Sequence, residues 1–404
     1  MHIERDIVPQ ELEIRSSDKS SAVGEQEMSI NTTLSQTYAP SHDENSRQAF
    51  VGALKGHVNG PLEDRLAKLY DEDIQPRFKA KNGDSPRHRD EVVPDFQAEP
   101  LYQTWGSMVY TSQDLMWETV GDTVDRVRPA YEARAQEILK SDRRLGTLEL
   151  NPKLDVPQPI ADVEIHRQPG GYFFENNGDD LTTAMLYMGT IELYRNAKGI
   201  GTGSNPGDPG MAHRITKFVD DYFPDLRPSR ILDMGCAIGT ETVGYKERWP
   251  DAEVHGIDLS GPFVRFGHVW SEDRGVEVHF HQMNAAETSF PDGYFDLIIS
   301  HIMFHETWFD VQDSIMTECH RLLSPGGHLV NADVPWQQAV LPIVKQVTNA
   351  WQVEHNGEPY WTGFADRDVR KDMEKAGFAY ENTYAKYEPL GRGTYYFFGA
   401  SVPA

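Results

Sequence analysis

Apolar positions divide this chain into two halves with different periods. From Arg230 onward, short apolar runs alternate with helix-compatible segments, and strands are expected near 230–235, 253–258, 276–283, 295–301, 327–333, 378–387 and 394–402. Helical segments separate the first six, and only the turn Pro389-Leu390-Gly391-Arg392-Gly393 lies between the last two. Long crossovers join parallel strands and a short turn forces an antiparallel return, so the pattern predicts an α/β fold with seven strands, the last antiparallel.

The first half reads as mainly helical. Residues 1–45 are polar, rich in Ser, Glu and Asp and without sustained periodicity, as expected of a mobile arm. Phe50, Leu54, Leu62, Leu66 and Leu69-Tyr70 predict two short helices interrupted at Gly60-Pro61, and the Pro-, charge- and Gly-rich stretch 79–100 predicts a loop. Leu115, Met116, Val120, Val124, Val127 and Tyr131 mark a longer helix, capped by Ser112 and bent or restarted at Pro129. Strand-like pieces follow at 147–150 and 160–166, and a helix at 180–196. Gly199-Ile200-Gly201-Thr202-Gly203 has no strand before it and no helix directly after it, so it reads as a hinge and not as a nucleotide loop. The expected division is an arm over 1–45, a helical accessory or lid region over 46–210, and an α/β domain over 211–404.

Candidate chemistry begins at Ile231-Leu232-Asp233-Met234-Gly235-Cys236-Ala237-Ile238-Gly239, an apolar strand running into a tight turn of small residues. Such a turn at the carboxyl end of a central strand lets a ligand approach the backbone. The next strand ends at Asp258-Leu259, where a carboxylate can accept both hydrogen bonds of a ribose diol. The turn lacks the G-x-G-x-x-G spacing of a pyrophosphate site and starts with Asp233, an acid that repels phosphate but can receive an ammonium. The residues favour S-adenosylmethionine over a dinucleotide.

Residues 229–335 resemble the class I S-adenosylmethionine-dependent methyltransferases, especially the small-molecule branch with the ubiquinone and menaquinone C-methyltransferases. Asp233, Gly235 and Gly239 match the first glycine-rich motif and Asp258 the ribose acid. Met283-Asn284-Ala285-Ala286-Glu287 and Phe290 to Asp296 resemble the adenine-contacting segment and the lead-in to the fourth strand, and Arg321 to Leu329 the turn into the fifth. The resemblance implies a Rossmann-like methyltransferase sheet and a cofactor site of Asp233, Gly235, Cys236, Ala237, Gly239, Asp258, Leu259, Asn284, Ala285 and Ser300. Two departures stand out. Ala237 occupies a place where the family often has glycine and asks for more room, and Asn284 often aspartate.

Methyl transfer from a sulfonium needs alignment, exclusion of water and removal of any acceptor proton. Ser300-His301-Ile302-Met303-Phe304-His305-Glu306 is unusually polar for the end of an apolar strand. His305 or His301 is a candidate proton acceptor, with Glu306 orienting an imidazole or binding a cation; the plainer alternative is that one histidine caps the next helix and the other is solvated. No third ligand supports a metal. Trp336, Trp351, Tyr360, Trp361 and Phe364 are candidates either for an acceptor wall or for packing on the sheet, and Tyr102, Trp105, Tyr110 and Trp117 pose the same choice.

Charge narrows the acceptor. With 38 basic and 63 acidic residues the net charge is −25, which opposes binding to nucleic acid. Two cysteines form no disulfide framework and no run reaches membrane-spanning length, so a cytoplasmic protein without a membrane span is expected. The reading is a methyltransferase for a small-molecule acceptor, dimerising through the helical region. A macromolecule methyltransferase and a non-catalytic S-adenosylmethionine-binding scaffold are the alternatives.

Overall fold

The computed structural model describes residues 38–196, 210–334, 341–390 and 393–404. Most of the amino-terminal arm, the glycine-rich hinge candidate at 199–203, Trp336 and Gly391-Arg392 lie outside them.

The sheet forms from consecutive apolar residues that point to opposite faces. Its strands are β1 (Thr147–Glu149), β2 (Arg230–Met234), β3 (Glu253–Asp258), β4 (His279–Gln282), β5 (Phe295–His301), β6 (Leu323–Asp333), β7 (Thr383–Leu390) and β8 (Gly393–Ser401), in the spatial order β1-β4-β3-β2-β5-β6-β8-β7. Leu232, Ile298 and Leu329 pack on one face, and Ile231, Leu297 and Val330 on the other. Burial on both sides accounts for unbroken apolar runs where a half-exposed sheet would alternate. β8 runs antiparallel to both β6 and β7, as the short turn requires.

The sheet has eight strands and not the expected seven. The extra one is β1 from the amino-terminal half, which pairs parallel with β4 through Thr147–His279, Leu148–Phe280 and Glu149–His281. The strand-like piece expected at 147–150 is therefore a strand, and what the sequence did not show is that it joins this sheet.

The helices are α1 (His42–His57), α2 (Glu63–Leu69), α3 (Gln75–Asn82), α4 (Val93–Gln97), α5 (Pro100–Leu139), α6 (Gln158–Ala161), α7 (Thr182–Asn196), α8 (Gly210–Tyr222), α9 (Thr240–Arg248), α10 (Gly261–Asp273), α11 (Phe309–Leu322), α12 (Ile343–His355), α13 (Trp361–Ala365) and α14 (Val369–Lys375). Gly60-Pro61 does not break the first helical run. It sits in a π turn, Val58–Leu62, whose wider winding accommodates the proline ring and its missing N–H. Phe50, placed on the apolar side by its spacing, is 63% exposed.

Ser112 is not a cap. It lies inside the 40-residue α5, where its hydroxyl donates back to the Val109 carbonyl, and the helix instead begins at Pro100, whose fixed φ suits the first turn. The expected loop over 79–100 contains the end of α3 and the whole of α4. The stretch 160–166, expected as a strand, is the end of α6 and a 3₁₀ turn, Ile165–Arg167. Its apolar residues pack singly and have no neighbouring strand to pair with.

α5 binds the two halves of the chain together. Met116, Val120, Val124, Val127 and Tyr131 share a core with Leu181, Met185 and Met188 and with Phe263, Phe266 and Val269 of α10, and the rings of Tyr131 and Phe266 stack at 5.4 Å. Tyr102, Trp105 and Trp117 are buried, which decides for packing; Tyr110 is 45% exposed beneath Arg167.

The start of α9 is set by close approach. Gly239 holds φ +75°, and a Cβ there would lie 2.6 Å from Phe280 Cζ and 3.2 Å from the Gly267 backbone. Gly239→Ala is expected to destabilise the fold by about 2–4 kcal/mol, from left-handed strain plus overpacking. Chemical denaturation checks this, and an unchanged midpoint would show that the contact relaxes freely.

Candidate active site

The carboxyl ends of β2, β3 and β5 open into a cavity of about 1000 Å³. Of the residues singled out in sequence, Asp233, Gly235, Cys236, Ala237, Asp258, Leu259, Asn284, Ala285, His301 and Glu306 line it. Gly239, Ser300 and His305 do not. Gly239 packs α9 against β4 and α10, while Ser300 points its hydroxyl at Asn331 Oδ1 at 2.6 Å.

Asp258 fixes the loop that faces it. One carboxylate oxygen accepts the Ala237 N–H at 3.0 Å and the other the Ser260 N–H at 2.8 Å. Burial pushes this carboxyl up to about 6, and the backbone N–H donors pull the other way. Ala237 sits at φ +46°, a left-handed conformation that glycine reaches without the steric cost a Cβ adds. Here the hydrogen bond to Asp258 offsets the strain.

Asp233 is buried, accepts the Thr242 hydroxyl at 2.6 Å, and is pushed well above the usual carboxylate range by that burial. Gly235 keeps the floor open: at φ +67°, its Cβ would run into Met303 at 2.7 Å. Cys236 is a buried thiol held in its neutral form. Asn284 Oδ1 accepts the Ala286 N–H at 2.9 Å, leaving its second lone pair available.

β5 ends under strain. Ile302 has φ +46°, which is rare for a β-branched residue, and its N–H is held by the Ala332 carbonyl at 2.8 Å. The polar residues beyond it part company at that bend. His301 reaches the cavity, and its Nε2 is buried with no hydrogen-bond partner among the described residues; burial lowers its pKa. His305 instead turns inward, with Nδ1 at 2.7 Å from Asp333 Oδ1.

A row of acids and imidazoles continues from there. His305 Nε2 is 3.9 Å from Glu358 Oε2, Glu358 Oε1 is 2.6 Å from His166 Nδ1, and His166 Nε2 is 3.3 Å from Glu306 Oε1. Burial opposes both imidazolium charges. The carboxylates outweigh it and raise His305 to about 9, chiefly through Asp333, and His166 to about 10, chiefly through Glu358.

Sequence reasoning missed His166, Glu358 and Asp333, which lie far from the glycine loop in the chain. It also missed the aromatic wall. Tyr172 and Phe173, Tyr187 of α7, Phe263 of α10 and Trp308 line the cavity; Trp351, Tyr360, Trp361 and Phe364 do not. Trp351 packs on Trp105 at 5.3 Å, and Phe364 is fully buried. The turn Gln168 to Phe174, with two glycines before three aromatics, was the available signal.

Residues 231–327 match the family model described as a methyltransferase domain. Those residues form a class I S-adenosylmethionine-dependent methyltransferase domain. The chain is similar to a demethylmenaquinone methyltransferase of Thermus thermophilus, 37% identical over 115 residues that cover 28% of this chain and 51% of that protein. It is also similar to a ubiquinone/menaquinone biosynthesis C-methyltransferase of Vibrio parahaemolyticus, 31% identical with 35% and 55% covered. Among solved structures, the phosphoethanolamine N-methyltransferase 2 of Haemonchus contortus with S-adenosyl-L-methionine aligns at a TM-score of 0.39 and 15% identity, over 50% of this chain and 55% of that one. The chain spans about half the length of the curated relatives it matches. Among the described residues, no helix is long and apolar enough to cross a membrane.

The acid–imidazole row makes stability depend on pH. His305 and His166 have folded-state pKa values above the ordinary 6.5, so the stability from their pairing is full below 6.5 and is lost as pH rises through about 9 and about 10. The thermal midpoint is expected to fall over that range, and His305→Gln to flatten the fall. Equal slopes in both proteins would show that His305 is not charged in the fold.

Proposed function

We propose that this protein transfers the methyl group of S-adenosylmethionine to a small-molecule acceptor. The observation that carries the reading is the pairing of two carboxylates, the buried Asp233 and the half-buried Asp258, at the ends of adjacent parallel strands, around a glycine-containing loop and in one cavity.

The residues fit that cofactor. Asp258 and Leu259 would hold the ribose and its base, with Asn284 and Ala285 toward the adenine. Asp233, Gly235, Cys236 and Ala237 would take the amino-acid tail, whose ammonium restores a charge partner to the buried Asp233. Gly239 and Ser300 would support this site from behind. When bound, S-adenosylmethionine supplies a methyl already activated on a positive sulfur.

The chain's own residues would orient the acceptor, shed its water and receive any proton it gives up. Residues 46–210 would act as the lid, since Tyr172, Phe173 and Tyr187 wall the cavity from that side. Enclosure on this side favours a small acceptor over a macromolecule. His301 and Glu306 face the acceptor, with His305 behind them. We place the protein in the cytoplasm, where its two free cysteines stay reduced, and the exposed Phe50 supports self-association through the amino-terminal helices.

Calorimetric titration with S-adenosylhomocysteine tests the reading. Asp258→Ala is expected to weaken binding about 10- to 100-fold, the loss of hydrogen bonds to a charged group worth about 1.5–3 kcal/mol. Absence of binding to the unaltered protein, or unaltered affinity in the variant, would overturn it.

A further inference from the structure

The acid–imidazole row has one member on the cavity wall, Glu306, and the fold goes to some length to hold its neighbour there. His166 and Arg167 both adopt left-handed backbone, at φ +52° and +59°. The His166 carbonyl is held by two donors from α5, Gln113 Nε2 at 2.7 Å and Trp117 Nε1 at 2.9 Å. The turn that carries Glu358 presses directly on this one: a Cβ at Gly357 would lie 2.3 Å from the Glu164 carbonyl and 3.0 Å from the Arg167 N. Strain that is over-determined in this way, at a cavity, marks function more often than accident.

The two contacts to Glu306 leave one of its oxygens uncommitted. His166 Nε2 at 3.3 Å and the Tyr172 hydroxyl at 3.5 Å both meet Oε1, and among the described residues Oε2 has no hydrogen bond. Tyr172 is itself tied to the β3 acid, because the Ser260 hydroxyl donates to its carbonyl at 2.6 Å and the Ser260 N–H to Asp258.

Charge on the wall selects the kind of acceptor. The ionisable side chains that line the cavity, apart from His301, the tyrosines and Cys236, are Asp233, Glu241, Asp258 and Glu306. Among the described residues no lysine or arginine lines the cavity, so a phosphate or carboxylate acceptor would be desolvated without a partner. The flat faces of Tyr172, Phe173 and Trp308 suit an aromatic or cationic molecule.

We infer that Glu306 removes the proton from the acceptor's nucleophilic atom, and that the acceptor is a phenol or an amine and not an anion. This rests on the methyl-transfer reading above. The O–H bond of a phenol, or one N–H bond of an amine that enters protonated, breaks toward Glu306 Oε2, leaving its electron pair on the heteroatom, which bonds to the methyl carbon of a sulfonium donor. The carbon–sulfur pair stays with sulfur, the sulfonium becomes a neutral thioether, and Glu306 becomes the carboxylic acid. His166 and Glu358 are positioning residues that hold the Glu306 carboxylate aimed at the cavity. The groups facing Glu306 are His166 and Tyr172, Tyr187 from α7, Asp258 from β3, and His301 and His305 from the end of β5.

S-Adenosylhomocysteine binding comes first, because it needs no acceptor. Glu306→Gln is expected to bind it within about threefold of the unaltered protein; no binding to either overturns the methyl-transfer reading and this one with it, whereas selective loss in the variant overturns only the role of Glu306. Nitrogen-15 NMR of the cofactor-free protein follows, where His166 should titrate at lower pH in Glu306→Gln, and an unmoved titration removes the pairing. Deuteromethyl S-adenosylmethionine is then offered with a panel of phenols, aromatic amines, phosphomonoesters and carboxylic acids. Label on a phenol or amine is expected, and label confined to the anions, or found on none of the panel, overturns the assignment. On the labelled acceptor, Glu306→Gln should lower kcat about 100-fold or more at pH 7, the range of general-base catalysis. The deficit should shrink above the acceptor's own pKa, where no base is needed. An equal deficit at every pH would refute a proton-accepting role.

Discussion

A half-buried carboxylate that accepts two backbone N–H groups is the constraint on which this structure turns. Asp258 joins the loop after β2, through Ala237, to the start of α10, through Ser260. The charge that suits a ligand is thus the same charge that sets the walls around it. Burial raises that carboxyl to about 6 against the pull of its backbone N–H donors, so the tie between the two loops is strongest where the group is ionised.

From Ser260 the constraint spreads into the amino-terminal half. Its hydroxyl caps α10 at Phe263 and also holds the Tyr172 carbonyl, so the strap carrying His166 and Tyr172 is registered against β3. α5 fixes the other end of the strap, with Gln113 and Trp117 donating to the His166 carbonyl. The cavity is therefore made by both halves of the chain.

The parallel sheet and its loop were legible in the sequence because their signals are local. An apolar run, a small-residue turn and a carboxylate at the end of the next strand lie close together in the chain, and each has a single good structural use. The polar cluster after β5 was visible for the same reason, yet its division was not. The bend at Ile302 sends His301 to the cavity and His305 to Asp333, and nothing in a run of six residues announces a left-handed isoleucine. His166 and Glu358 were hidden more deeply, being separated from Glu306 by 140 and 52 positions and brought together only by the interlocking turns at Gly357. Ser112 failed as a cap because a serine bonding back within a helix and a serine starting one look alike in sequence.

β1 has a consequence for how the chain is partitioned in evolution and in the laboratory. By lying along β4, these three residues cover one margin of the parallel sheet with a strand drawn from far upstream. A chain cut just before β2 would uncover the β4 backbone, and bare strand edges recruit other strands. The segment that carries the methyltransferase motifs thus has one edge of its sheet covered by a piece that shares none of them.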